Sequence, residues 1–179
     1  MKLKNIMVLP SAVLISLALS NVAYATDGLL NTTSTGSSVV SLTINDSVKI
    51  TGLADITFDA YGADDTGGIN KGDAFCVYRN GGDAYSIIAS NPNGDAFQLT
   101  AGEGSDIVEY TVALHESTDA SGVDAATHGQ PVLFSSASVK VDCDGSNNTA
   151  FDIRIAEQEI RDTTSGTYAG TLQLLLAAE

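Results

Sequence analysis

The sequence predicts an all-β domain, either a sandwich or a barrel, and three observations support this fold class. Apolar side chains recur at every second position in many short runs, which is the period of a strand with one buried face. Clusters rich in Gly, Asn and Asp separate the runs and supply the turn conformations that connect strands. Only residues 156–161 have a helical pattern, and they are few enough to form a single turn or a strand end.

The alternating runs follow one another along most of the chain. In order, they are 40–44, 48–50, 56–58, 76–78, 108–114, 139–143, 151–155 and 168–176. The turn-forming clusters between them are 62–72, 80–83, 91–94, 101–104, 117–129 and 144–148. Many short strands separated by such turn-forming clusters are typical of a sandwich or barrel. The sequence has no internal repeat that would indicate a second domain.

Residues 1–25 are predicted to be a targeting segment that is removed on export. Lys2 and Lys4 precede an apolar run over 6–19, and Ala23-Tyr24-Ala25 matches a cleavage signature. The apolar run contains Pro10 and is shorter than the roughly 20 residues of a membrane-spanning helix. Removing 25 of 179 residues leaves 154, which is enough for one domain with a core of its own. No later segment is apolar enough to span a membrane.

The predicted mature chain is strongly acidic. Without Lys2 and Lys4 it has six Lys and Arg residues against 22 Asp and Glu, a formal charge of −16. Nucleic acids and anionic membranes bind clusters of positive charge, so we expect neither as a partner. An acidic surface that keeps an exported protein soluble is the simplest interpretation.

Cys76 and Cys143 are the only cysteines in the chain. An even number of cysteines in an exported protein predicts a disulfide, here worth about 4 kcal/mol in the chain-entropy model. Neither cysteine belongs to a C-x-x-C motif, so metal binding and thiol catalysis are not expected.

The sequence predicts no catalytic residue, no metal site and no cofactor. His115 and His128 are 13 positions apart in polar sequence, and we interpret both as solvated loop histidines. The chain has no G-x-S-x-G motif for a nucleophile. It also has no Trp, although clefts that cleave sugars usually carry aromatic platforms.

Two acidic loops leave calcium binding open as the less favoured alternative to solvated turns. Neither loop follows the spacing of the helix–loop–helix calcium motif. The residues concerned are Asp64, Asp65, Asn70 and Asp73 in one loop, and Asp142, Asp144 and Asn147 in the other.

The stretch after the targeting segment predicts a flexible arm. Residues 26–38 are rich in Thr, Ser, Gly and Asn, which favours a mobile tail. Val40, Leu42 and Ile44 then alternate with polar residues, as in an amphipathic strand. The alternative is that 40–44 forms an ordinary first strand of the domain's own sheet.

Both ends of the mature chain resemble subunits of chaperone–usher pili, especially the archaic class with spore-coat-U-like domains. Residues 37–45 correspond to an N-terminal arm and 47–58 to a first strand, and the ending 166–172 reads G-T-Y-x-x-T-L, as in the last strand of that family. Residues 75–78 and the strand around Tyr110 fall where the family has its middle strands. Such domains usually carry a cysteine in the first strand, where this chain has Val48.

The resemblance implies an immunoglobulin-like sandwich that lacks its final strand and is completed by a neighbour's arm. Val40, Leu42 and Ile44 would then fill the groove. The implied division is a signal peptide (1–25), a donor-strand arm (26–45) and a pilin domain (46–179). The implied function is a structural subunit of an extracellular adhesive pilus. Its partners would be copies of itself, with a periplasmic chaperone and an outer-membrane usher during assembly.

Two other function classes remain open at this point. The chain could be a monomeric secreted β-sandwich that binds a carbohydrate or surface ligand, and such a module would place residues 40–44 in its own sheet. It could also be a secreted hydrolase, which would need a concave site with converging polar groups. We favour the structural subunit over both.

Overall fold

The computed structural model describes residues 25–102, 106–116 and 124–179, so the predicted signal peptide lies outside the described residues except for Ala25. The strands are β1 Val48–Thr51, β2 Ile69–Arg79, β3 Tyr85–Ser90, β4 Gln98–Thr100, β5 Ile107–Glu109, β6 Thr111–His115, β7 Asp124–Ala125, β8 Pro131–Phe134, β9 Thr149–Ile155 and β10 Gln173–Ala178. Among the described residues, one short α-helix, α1, spans Glu157–Asp162, where the sequence has its only helical pattern.

The strands form two main antiparallel sheets, which confirms the predicted all-β sandwich. The first sheet has the order β1-β2-β9-β6-β7, and the second has the order β10-β3-β8. A two-stranded ribbon, β4-β5, completes the fold. In the part of the chain that the structure describes, no helix is long and apolar enough to cross a membrane.

The core consists of apolar side chains from both sheets. Tyr85 is fully buried, its ring lies 5.3 Å from that of Phe134, and its hydroxyl hydrogen-bonds Thr149 Oγ1 at 2.8 Å. Burial raises the pKa of the Tyr85 phenol, because the charged form would lose its hydration. The buried apolar residues of this core are Phe75, Val77, Tyr85, Ile87, Ala89, Phe97, Val108, Tyr110, Val112, Leu114, Phe134, Phe151, Ile153 and Ile155.

The predicted disulfide is present. Cys76 on β2 and Cys143 are bonded, with Cα atoms 5.9 Å apart. The strand predicted over 139–143 is wrong, however: this stretch forms turns that end in a short 3₁₀ helix, Cys143–Gly145. Ser138 exchanges backbone hydrogen bonds with β2, and the chain then turns so that Val139 and Val141 are exposed. Alternation alone could not distinguish these exposed valines from buried ones.

The predicted strand over 108–114 is divided between two sheets. β5 pairs with β4 in the ribbon, whereas β6 pairs with β9 in the first sheet. The change occurs at Tyr110, whose backbone N–H donates to Phe97 O at 3.0 Å. The alternation continues across the break because Val108, Tyr110, Val112 and Leu114 are all buried.

The chain divides into two compact units, one that ends at Thr43 and one that spans Ile44–Glu179. In the described part of the first unit, Thr26 and Ser37 exchange two backbone hydrogen bonds of 3.0 Å each. Residues 40–44 belong to no strand, and Val40, Leu42 and Ile44 are exposed.

Candidate strand-acceptor groove

Each of the two main sheets ends in an edge strand, and these two edge strands are neighbours. β10 pairs with β3 through six residue pairs on one side, and no described strand pairs with its other side. β1 likewise pairs only with β2 among the described strands. β1 and β10 lie in contact without forming a ladder. We call the surface formed by the unpaired edges of β1 and β10, together with residues 52–60 that follow β1, the acceptor groove.

The apolar residues beside the groove are only partly covered. Ile50 on β1 and Leu174 and Leu176 on β10 pack against the core, but each remains half-buried. The same is true of residues just outside these strands, namely Ile56, Phe58 and Leu172. A row of half-buried apolar side chains beside an unpaired strand edge is a surface that another strand could cover.

The strand predicted over 56–58 is absent, because the chain leaves β2 after Gly52, which has a φ of +86°. Continuing the β1–β2 register would place Ala54 opposite Asp73. There the Ala54 N–H donates instead to the Asp73 carboxylate at 2.7 Å. Lys71 Nζ similarly donates to Thr57 O at 2.7 Å. Side chains of β2 thus hold this segment, and in the described residues its other backbone groups from 53 to 60 have no backbone partner.

The interpretation of His115 as a solvated loop residue is wrong. His115 is the last residue of β6, is only 2% exposed, and its Nε2 lies 2.7 Å from Asp152 Oδ2 on β9. The ladder places His115 opposite Ala150, so Asp152 is its diagonal neighbour. Within the described residues, its Nδ1 is buried without a hydrogen-bond partner. The sequence carries no local signal for this contact, because the two residues lie 37 positions apart.

His128 is also packed rather than solvated. Its ring is half-buried and meets the Phe97 ring edge-on, with centroids 5.1 Å apart. Its Nε2 accepts a hydrogen bond from the Asn91 N–H at 2.8 Å, and Asn91 itself orders the turn after β3. His128 therefore stabilises a loop, and the structure does not bring the two histidines together at one site.

The acidic loops make local hydrogen bonds. Asp65 Oδ2 accepts from Gly62 N at 2.6 Å, and Asp142 Oδ1 accepts from Asp144 N at 3.2 Å, both within single turns. Among the described residues, no group of three or more His, Cys, Asp or Glu side chains is arranged to hold a metal ion. These contacts are typical of carboxylates that stabilise turns.

A shallow cleft of about 390 Å³ lies away from the groove, where the chain passes from β5 to β6. Arg154 lines it together with the carboxylates of Glu109 and Glu159, and Glu159 accepts from the Glu109 N–H at 3.4 Å. The remaining lining residues are Tyr110, Thr111 and Ala156. Its lining residues include no His or Cys.

Comparisons with known proteins are sparse. No family model matches the chain, and no curated protein matches it. A solved structure described as "Chaperone-tip adhesin complex is vital for synergistic activation of CFA/I fimbriae biogenesis" is similar in fold, with a TM-score of 0.51 and 15% identity. The match covers 74% of this chain and 42% of that one, so this chain spans less than half the length of its neighbour. The likeness establishes a shared sandwich fold, found in that case in a fimbrial complex.

Proposed function

We propose that this protein is a structural subunit of an extracellular adhesive pilus and polymerises by donor-strand complementation. The observation that carries the proposal is a complementary pair of features in one chain. The acceptor groove offers an unpaired strand edge beside half-buried apolar residues. The segment 40–44 offers an exposed row of apolar side chains at strand spacing.

The donor side of the proposal is the row Val40, Leu42 and Ile44. Exposing three apolar side chains close together in water is unfavourable. Burying three of this size would contribute very roughly 5–9 kcal/mol before the cost of ordering the arm. The five residues 40–44 would span about 17 Å as a strand, against about 20 Å for the six-residue β10. Segment and groove therefore match in length as well as in chemistry.

Insertion into a second copy accounts for a filament. The groove and the arm are different surfaces of one chain, so each copy can accept one arm and donate another. Such a head-to-tail contact does not close on itself unless the rotation between copies forms a ring. A self-contained binding module would instead place 40–44 in its own sheet, whereas these residues belong to no strand.

Assembly at the cell surface requires export and protection of the groove. The predicted signal peptide supplies the export route, with release into the periplasm. A free subunit would expose the β10 edge to aggregation, so a periplasmic chaperone that lends a temporary strand suits this surface, followed by an outer-membrane usher. The fold neighbour comes from a chaperone–adhesin complex, which supports a chaperone partner. Membership of the archaic class is part of this proposal, as is the absence of any catalytic role.

A matched pair of charge substitutions tests the proposal. Leu42→Asp should abolish fibres, because it would place an unpaired carboxylate in an apolar groove. Leu29→Asp is the control, since Leu29 is exposed to the same degree as Leu42, 84% against 82%, but lies outside the donor row. Electron microscopy of cells that produce each variant should show fibres only for Leu29→Asp. Normal fibres from Leu42→Asp would refute the donor role and favour the secreted binding module.

A further inference from the structure

The root of the arm, residues 44–47, is held by two side chains at the end of β2. The Arg79 guanidinium pairs with the Asp46 carboxylate, with Nη2 2.7 Å from Oδ2 and Nε 3.3 Å from Oδ1. Asn80 holds the backbone on both sides of Asp46, accepting from Ser47 N at 2.7 Å and donating to Asn45 O at 2.9 Å. We call this set of contacts the root clamp. Arg79 itself is buried, with 7% of its surface exposed.

The root clamp lies at one end of the acceptor groove. Arg79 Nη1 also donates to Glu179 O at 2.6 Å, directly after the end of β10, and to Ala84 O. The start of β1 and the end of β10 therefore meet at one guanidinium, and the two strands run in opposite directions beside the groove. A reversal of the chain at 45–47 would lay the donor row along β10 of the same molecule.

The sequence of the root is compatible with such a reversal. Asn45, Asp46 and Ser47 are all common turn residues. Short hairpin loops of two or three residues use positive φ angles, and none of these three residues has one in this structure. The root is thus in a conformation other than a tight hairpin, and the contacts of Arg79 and Asn80 stabilise that conformation.

We propose that the root clamp prevents the arm from filling its own groove and so keeps both arm and groove available to other copies. This inference rests on the proposed function and assigns Arg79, Asn80 and Asp46 as positioning residues. Without the clamp, the arm should occupy the groove of its own chain most of the time. An arm tethered next to its groove has an effective concentration on the order of 1 mM, far above the concentration of any neighbour in dilute solution.

Two adjacent glycines provide a test that changes no charge. A Cβ at Gly81 would lie 2.5 Å from Asp46 Cγ, so Gly81→Ala would displace the Asp46 carboxylate from Arg79. A Cβ at Gly82 would lie 3.6 Å from the Arg79 guanidinium, an ordinary contact, so Gly82→Ala is the matched control. Neither glycine has a positive φ, and alanine is therefore free of backbone strain at both positions.

The experiment measures the affinity of the mature chain for a fluorescent peptide with the sequence of residues 37–45. Gly81→Ala should bind this peptide less well than Gly82→Ala, because its own arm competes at an effective concentration on the order of 1 mM. The ratio of that concentration to the dissociation constant of the arm sets the loss, so the loss is about a hundredfold where that constant is about 10 µM. Its fibre yield should fall in parallel. Adding Leu42→Asp to Gly81→Ala disables the competing arm and should restore peptide uptake.

The outcomes separate the clamp from the proposed function. Equal peptide uptake and fibre yield for Gly81→Ala and Gly82→Ala would refute the proposed role of the root clamp. The proposal of donor-strand assembly would stand. Loss of uptake that Leu42→Asp does not restore would mean that Gly81→Ala damages the groove, and this would also overturn the clamp. A parent chain that takes up no peptide and whose Leu42→Asp variant still forms fibres would refute the proposed function itself.

Discussion

Residues 151–155 and 40–44 have the same alternation of apolar and polar side chains but opposite burial. Phe151 on β9 is 4% exposed, whereas Val40 is 93% exposed. β9 lies in the middle of the first sheet, with β2 on one side and β6 on the other. Residues 40–44 belong to no strand. The difference teaches that alternation indicates a face suited to burial, whereas the neighbours of the strand decide whether that face is buried.

The largest expected effect is on the buried side of this comparison. Phe151→Ala should destabilise the domain by about 3–5 kcal/mol, because it removes a core ring that lies 6.2 Å from the Phe75 ring. Val40→Ala should leave the stability of the monomer within about 0.5 kcal/mol of the parent value and reduce assembly instead. Chemical denaturation of the two variants measures this contrast. A comparable loss of monomer stability in Val40→Ala would mean that the arm packs within its own domain.

His115 gives the intermediate effect. His115→Ala should cost about 1–3 kcal/mol, because it removes a buried ring and leaves the Asp152 carboxylate without its partner. His128→Ala should cost less, since this ring is only half-buried. Thermal unfolding of the two variants tests this order. Equal and negligible effects would restore the interpretation of both histidines as surface residues.

The smallest effect concerns pH. The hydrogen bonds from Arg79 hold the pKa of the Asp46 carboxyl below its ordinary value of 3.8, and the Asp46 carboxyl in turn raises the pKa of Arg79. A lowered carboxyl pKa in the folded state stabilises the protein above the unfolded value, and this stabilisation is lost as pH falls through the folded value. Asp46→Asn should therefore lose slightly less stability than the parent between about pH 5 and pH 2.

Denaturation midpoints measured across that pH range provide the test, with Glu157→Gln as a comparison. The pKa of Glu157 is also lowered, chiefly by the hydrogen bond from Arg161 on the exposed helix α1. Glu157→Gln should also lose less stability than the parent as pH falls, and it should leave fibre assembly unchanged. The same loss of stability at acidic pH in the parent and in Asp46→Asn would mean that the pair of Asp46 and Arg79 does not stabilise the folded protein.

Several errors of the sequence interpretation have one cause. The valines at 139 and 141 alternate like core residues, yet they follow a bridge to β2 and face away from it. His115 lies among polar residues in sequence, yet β9 covers it. The run 108–114 continues without interruption in sequence but changes sheets at Tyr110. In each case the deciding contact comes from a segment far away in the chain.

The sequence by itself determined the all-β class, the cysteine pair and the amphipathic segment ahead of the domain, and it left a helical turn and a strand end both open at 156–161. These features follow from local rules: a two-residue period, an even cysteine count, turn residues and a polar stretch. Only the tertiary structure decided which apolar rows are covered and where the open edge lies. Arg79 shows the reason, since it joins Asp46, 33 positions away, to Glu179, 100 positions away. No local pattern encodes such a junction, because it depends on how the strands meet in space.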